Sequence, residues 1–250
     1  MTNISIITAT YNSADTLAEC IASVHSQTQP VEHIIIDGAS SDATPVILDQ
    51  YKDHLAQIVS EPDRGMYDGL NKGIKLATGE IIGLLHADDF YPSHVVLAKV
   101  IDAFKDTDIE ACYGDLVYVD SMDIEKVIRY WRSGDFDPQK FFNGWMPPHP
   151  TLFVRRSVYE KYGLFNLELG SAADYELMLR FLLKYKIKTA YIPEILIHMR
   201  TGGVSNATIW NRIKANRMDR KAWEVNGLQP RPWTMIAKPL RKLKQWVVKK

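Results

Sequence analysis

The chain has 250 residues, 46% of them hydrophobic and 24% charged, with a formal net charge of zero. That fits one large soluble domain, or one domain with an appendage, able to bury a sizeable core. A neutral chain gives no hint of a nucleic-acid partner, and no apolar run is long enough to span a bilayer. The N-terminus passes from Met1-Thr2-Asn3 into a strand-like run with no charged leader. A cytosolic protein is therefore expected, at most attached to the inner face of a membrane. Cys20 and Cys112 fall in neither metal-ligand nor Cys-x-x-Cys spacing and read as buried thiols in a reducing compartment.

Ile4 to Thr8 is a β-branched run ended by Thr10-Tyr11-Asn12-Ser13. Ser13 or Asp15 can cap a helix whose apolar positions Leu17, Cys20, Ile21 and Val24 recur at helical spacing, and Pro30 stops it. Glu32 to Asp37 is a second strand. Ser40-Ser41-Asp42 starts a helix with Val46, Ile47, Leu48 and Tyr51 inward. A strand at Gln57 to Ser60, a loop from Glu61 to Gly65 and a helix to Ala77 follow. Thr78-Gly79 then turns into a buried strand, Ile81 to Leu85, which runs into Asp88 and Asp89 before Pro92 opens the next helix. Strands alternating with helices predict an α/β fold with a mostly parallel sheet and right-handed crossovers.

Beyond the paired acids the alternation loosens. His94 to Phe104 reads as a helix, and Ala111 to Val119 and Lys126 to Trp131 as strands. Residues 134–146 look aromatic and irregular, and Pro147-Pro148-His149-Pro150 leads into a strand at Thr151 to Val154. Helices are expected at Ser157 to Tyr162 and Asp174 to Tyr185, with short strands near Lys188 to Ile192 and Leu196 to Met199. A last helical region runs from about Thr208 to Asn226. After the Pro230 and Pro232 linker, Pro239 to Lys249 mixes Leu240, Leu243, Trp246 and Val247 with lysine and arginine.

An open α/β sheet gathers the carboxyl ends of its strands on one ligand-binding edge. Thr8 to Asn12, Asp37, Glu61 to Arg64 and Asp88-Asp89 all fall at such ends. Adjacent carboxylates repel unless a cation or donors offset them, so Asp88 and Asp89 either hold a divalent metal or cap the following helix. Neither a Gly-x-Gly-x-x-Gly after the first strand nor a Gly-x-x-x-x-Gly-Lys-Ser/Thr occurs, and there is no Gly-x-Ser-x-Gly elbow. Dinucleotide oxidoreductases, P-loop enzymes and α/β-hydrolases thus lack their signatures. What remains is a nucleotide-type pocket whose phosphates meet a carboxylate-bound metal.

Four motifs carry a family resemblance: Thr8-Ala-Thr-Tyr-Asn12, Asp37-Gly-x-Ser-x-Asp42, Glu61-x-Asp-x-Gly-x-Tyr-Asp-x-x-Asn-x-Gly73 and His86-Ala-Asp-Asp89. Ala173-Asp174-Tyr175-Glu176, His198 and Gly202-Gly203-Val204-Ser205 extend it. In order and spacing they resemble the inverting glycosyltransferases of family 2, which have the GT-A fold. They look most like the bacterial members that build O-antigen, capsule or exopolysaccharide. The resemblance covers residue 3 to about residue 205. It implies a GT-A domain over 1–206, with a nucleotide-sugar half (1–105) and an acceptor half (106–206), and a basic helical extension over 207–250.

The resemblance also implies roles. Thr8, Tyr11 and Asp37 would hold the nucleobase, Arg64 would approach phosphate, and Asp68 and Asn71 would meet base or sugar hydroxyls. Asp88 would face the ribose and donor sugar, and Asp89 would bind Mn2+ or Mg2+, with His198 as a third ligand or a structural histidine. Asp174 would be the general base, preferred over Glu176 because it sits at the mouth of its helix. His149 orients the acceptor or serves structure, and Trp145 and Tyr67 stack on sugars or fill the core. No Gln-x-x-Arg-Trp motif of processive synthases occurs, which points to transfer of one sugar.

The expected donor is a UDP-hexose, with GDP or dTDP as alternatives, and the expected acceptor is a lipid-linked glycan. A sugar nucleotidyltransferase would need a Gly-rich basic first loop, which residues 8–13 lack. A non-catalytic carbohydrate- or lipid-binding module of the same fold would not need Asp88, Asp89 and Asp174 together. Residues 233–250 resemble an interfacial helix that favours anionic lipid, the alternatives being a solvated helix or a contact in a homo-oligomer.

Overall fold

The structure, a computed structural model, describes residues 3–202 and 209–244, without the side chains of 209–215 and 242–244. The end of the Gly202 to Ser205 motif and the tail from residue 245, with Trp246 and Val247, lie outside the described residues.

The first half follows the βα rhythm. β1 (Ile4–Thr10) is buried along its whole length, as a β-branched run inside a two-faced sheet should be. α1 (Leu17–His25) buries Leu17, Cys20, Ile21 and Val24, the four positions its spacing predicts. β2 (Val31–Asp37) pairs parallel with β1. In α2 (Thr44–Tyr51), Leu48 is buried but Val46 is 60% exposed. Residues two apart lie on opposite sides of a helix, so both cannot face inward. β3 (Gln57–Ser60) adds parallel to β2, and α3 (Met66–Leu76) leads to β4 (Ile81–Leu84), parallel to β1. α3 seats closely on the sheet because position 73 is glycine; a Cβ there would fall 2.3 Å from Ile7 Cγ2.

After β4 the sheet turns mixed. β5 (Asp89–Phe90) is a two-residue strand, and α4 (Val96–Ala103) begins well after Pro92. Asp88 and Asp89 therefore do not cap that helix; the segment pairs into the sheet instead. β6 (Ala111–Val119) and β7 (Val127–Trp131) form an antiparallel pair. α5 (Pro138–Phe142), capped by Asp137 Oδ1 accepting from Gln139 N, interrupts the stretch expected to be irregular. β8 (Phe153–Arg155), α6 (Arg156–Tyr162) and α7 (Ala173–Met178) follow, and α7 continues as a π-helical turn over Leu179–Lys184.

β9 (Thr189–Arg200) is one strand where two were expected. Register shifts against parallel β6 absorb the segment around Pro193. Among the described residues the sheet order is β3-β2-β1-β4-β8-β6-β9-β5, with β7 on β6.

α8 (Ile209–Val225) and α9 (Thr234–Lys244) return to the second half of the sheet. Trp223 is fully buried, its ring beside Phe142 and its Nε1 donating to Tyr175 Oη at 3.0 Å. α9 starts at Thr234 and continues through Pro239 rather than beginning there. No helix among the described residues is long and apolar enough to cross a membrane.

Candidate active site

The carboxyl ends of β1, β2 and β3 are laced together by polar side chains. Asn12, with φ of +50°, takes the left-handed conformation that Asn tolerates. Its Oδ1 accepts from Ser41 N at 2.9 Å, and its own amide donates to Ser40 Oγ at 2.8 Å. Asp42 Oδ2 accepts from Ala14 N at 3.1 Å. This lacing fixes a concave rim, with Tyr11 63% exposed at its lip.

Several predicted donor-site residues are engaged elsewhere. Thr8 is fully buried within β1 and its side chain bonds His33 Nε2 at 3.1 Å, so it does not face the rim. Asp37 is also fully buried and accepts from Ser40 Oγ, Ser40 N and Ser60 Oγ. Asn71 spends both ends of its amide on Phe165, donating to its carbonyl and accepting from its N–H, each at 2.9 Å. It clamps α3 to residues 163–173. Asp68 accepts from Arg64 N at 3.1 Å and stands 3.6 Å from the Arg64 guanidinium, whose side chain is 77% exposed.

Asp63, quoted within a motif but given no role, sits against Gly38 just past the carboxyl end of β2. Its Oδ1 accepts from Gly65 N at 2.8 Å. Its Oδ2 presses on Gly38, where a Cβ would come within 2.8 Å. The Asp-x-Gly spacing carried that signal, since the glycine permits the turn at φ of +104°.

The deepest feature is Asp89. It is fully buried, and neither carboxylate oxygen has a well-formed hydrogen bond. Burial, reinforced by the Asp88 charge, pushes its carboxyl well above the usual range, against the pull of Arg200. Arg200 was not foreseen. Its Nη1 donates to Asp88 O at 2.7 Å and Nη2 to Glu19, while the guanidinium covers the Phe90 ring. It holds the backbone of the acidic pair and leaves the Asp89 oxygens bare.

His198 pairs across the ladder with Phe90 and meets that ring edge-on at 5.2 Å, whereas Asp89 pairs with Met199. Neighbouring strand residues face opposite sides, so His198 is turned away from the Asp89 carboxylate. Among the described residues no three His, Cys, Asp or Glu side chains form a ready-made metal set.

Asp174 opens α7 across from the acids. Tyr67 donates its hydroxyl to it, and Tyr175 N donates to Oδ1 at 2.7 Å. Burial raises its pKa; Lys238, the Tyr175 amide, His86 and Tyr67 oppose the rise. Burial holds the His86 pKa down, against the opposing charges of Asp88 and Asp174. His149 stacks 5.8 Å from His86 and 6.3 Å from Tyr67, and burial pushes it down to about 3. Trp145 is buried in the core, with its Nε1 donating to Ser133 O.

A parallel half-sheet bearing acids at its carboxyl edge, closed by a mixed half that carries a further acid, is the GT-A plan of a sugar transferase. A profile of glycosyl transferase family 2 matches residues 5–163, and the chain belongs to that family. It is a transferase.

The PGL/p-HBAD biosynthesis glycosyltransferase of Mycobacterium bovis is 30% identical over 82% of this chain and 80% of its own. Staphylococcus aureus TarS in complex with UDP-GlcNAc superposes with a TM-score of 0.65 at 16% identity, covering 98% of this chain and 78% of that one. The chain spans 43% of a longer TarS structure. Mannosyltransferase PcManGT from Pyrobaculum calidifontis, in complex with GDP-Man and Mn2+, gives a TM-score of 0.65 at 20% identity over 95% of this chain and 69% of that one.

Proposed function

We propose that this transferase moves one hexose from a UDP-sugar to a lipid-linked glycan acceptor, with inversion, in building a bacterial surface polysaccharide such as O-antigen, capsule or exopolysaccharide. One observation carries the reading: a fully buried Asp89 carboxylate beside Asp88, with no well-formed hydrogen bond and only Arg200 to offset its charge.

An ionised carboxylate without donors is costly to bury, so the pair fits a divalent cation better than it fits empty space. Asp89, with Asp88 beside it, would hold Mn2+ or Mg2+, hard cations that complete their shells with water and phosphate oxygens. When bound, the ion supplies charge that stabilises the leaving diphosphate. The chain's own residues do the rest. The rim formed by Tyr11 and Asp63 receives the nucleobase, with buried Asp37 bracing it from beneath through Ser40 and Ser60 and Asp63 placed to accept from a uracil N–H. Asp174 takes the proton from the acceptor hydroxyl as its oxygen attacks the anomeric carbon. The nucleoside diphosphate leaves from the opposite face, and the configuration inverts.

Support for a lipid-linked acceptor comes from α9. Trp233, Ile236 and Leu240 expose 50%, 63% and 56% of their surface along one side. Exposed Arg231 and Arg241 flank them. An apolar stripe with basic neighbours suits an anionic membrane surface.

The test is thermal stability against UDP, GDP, dTDP and their hexose conjugates, with Mn2+ or with chelator. A ligand that binds the folded state raises the melting temperature. A Mn2+-dependent shift with UDP supports the reading. A shift with GDP alone moves the donor to that base, and no shift with any nucleotide overturns the donor site.

A further inference from the structure

α9 brings one charged side chain against α7, the helix that carries Asp174. Lys238 Nζ pairs with Asp219 Oδ2 at 2.7 Å, with the two side chains only 17% and 15% exposed. The same nitrogen stands 3.5 Å above the centroid of the Tyr175 ring, close enough for a cation–π contact. Tyr175 is fixed at both ends, its hydroxyl accepting from Trp223 Nε1 and its amide donating to Asp174 Oδ1. The helix itself is pinned. Thr234 Oγ1 donates to Phe142 O at 2.6 Å, and at Gly144 (φ of +75°) a Cβ would lie 2.3 Å from Lys238 N. Only glycine permits that approach.

We propose that Lys238 is a positioning residue for Asp174, which makes α9 part of the catalytic centre. The inference rests on reading Asp174 as the base. The Tyr175 amide of its own helix bonds the Asp174 carboxylate, the Tyr67 hydroxyl from α3 lies against it, and Lys238 from α9 and, when protonated, His86 after β4 act on it through their charges. Asp219 on α8 stands behind Lys238 and partly offsets its charge. His86 is held neutral by burial, so Lys238 supplies the positive charge in this set. A cation near a carboxylate favours its ionised form, which is the form a base needs. Locking that cation over the Tyr175 ring also fixes the residue whose amide orients the carboxylate.

The test is a pH titration of Asp side-chain carboxyl carbons by NMR in the full chain without metal. The Asp174 signal is assigned by its loss in Asp174→Asn. Lys238→Met keeps the apolar stem on the ring, and Lys238→Gln keeps a donor toward Asp219, so two neutral variants guard against one misfolding. Both are expected to raise the Asp174 midpoint by about one pH unit, with Lys238→Arg restoring it. An unmoved midpoint in either folded neutral variant overturns the proposal. Undiminished UDP release from a UDP-sugar by Asp174→Asn would instead sink the base reading, while the titration would still report the Lys238–Asp174 coupling.

Discussion

Arg180 Nε donates to Glu176 Oε1 at 3.0 Å, one helical turn along, with the two side chains 12% and 4% exposed. A second bond, Nη2 to Oε2, makes the pair bidentate. Arg180 also caps the carbonyls of Tyr162 and Leu164, and Asn226 Nδ2 donates to Glu176 Oε1 at 3.2 Å. Glu176 is thus committed to holding α6, α7 and α8 together, while Asp174, two residues earlier, faces the pocket. Removing one partner leaves a buried charge uncompensated. Glu176→Ala should therefore lose about 3–5 kcal/mol of stability in denaturant melts.

Asp174→Asn should behave in the opposite way. Its carboxylate is held by one amide and one hydroxyl against a burial penalty, so the neutral isostere should melt no lower than the parent. Turnover should drop by about 10²–10⁴, the usual contribution of a general base. The pH profile follows from the direction of the shift. A raised pKa means that Asp174 protonates at higher pH than a free carboxyl, so activity should fall on acidification before the ordinary 3.8 is reached.

The Asp89 oxygens make no well-formed hydrogen bond, and burial with the Asp88 charge outweighs the pull of Arg200, so removing the charge relieves more than it loses. Asp89→Asn should match or exceed the parent's melting temperature in chelator. With Mn2+ and UDP at about a hundredfold over Kd, the parent should gain about 2.7 kcal/mol, or about 5–10 °C. Asp89→Asn should gain almost nothing.

Sequence pattern captured what repeats and missed what closes over long range. The βα half was legible because Leu17, Cys20, Ile21 and Val24 share one helical stripe and β1 is rich in β-branched residues. Asp88, Asp89 and Asp174 were singled out from local motifs. The engagement of Asn71 with Phe165 was not, since no local rule ties residues so far apart in sequence. Arg200 and Lys238 escaped for the same reason: each reaches the site from an element whose docking depends on tertiary packing. Residues 88–91 misled because Asp before Pro looks like a helix start, whereas pairing with β9 wins.

His33 gives an independent handle on stability. It is buried against Thr8, and desolvation pushes its pKa down to about 3 from 6.5. Below 6.5 the unfolded chain takes a proton that the folded chain refuses, so stability present above 6.5 is lost as pH falls toward 3. The slope from this one group is at most about 1.4 kcal/mol per pH unit. His33→Gln should flatten the acid limb of a urea-midpoint series against pH, and an unchanged slope would show that His33 is not buried as a neutral ring.

The two sides of α9 should separate in one experiment. Ile236 and Leu240 face out, whereas Trp233, Thr234 and Lys238 are tied to Asn143, Phe142 and Asp219. Burying each outward side chain in an interface contributes about 1.5–3 kcal/mol at full depth. Replacing Ile236 and Leu240 with serine should therefore cut cosedimentation with phosphatidylglycerol vesicles by at least about tenfold and leave the melting temperature in place. Lys238→Met should do the reverse, preserving vesicle binding while disturbing the base site. Added salt should weaken the wild-type association, because Arg231 and Arg241 contribute through screened attraction to lipid phosphate. If the serine variant binds vesicles as well as the parent does, the outward stripe is not a membrane face. If it instead loses a dimer seen by sedimentation velocity, the stripe joins two copies of the chain.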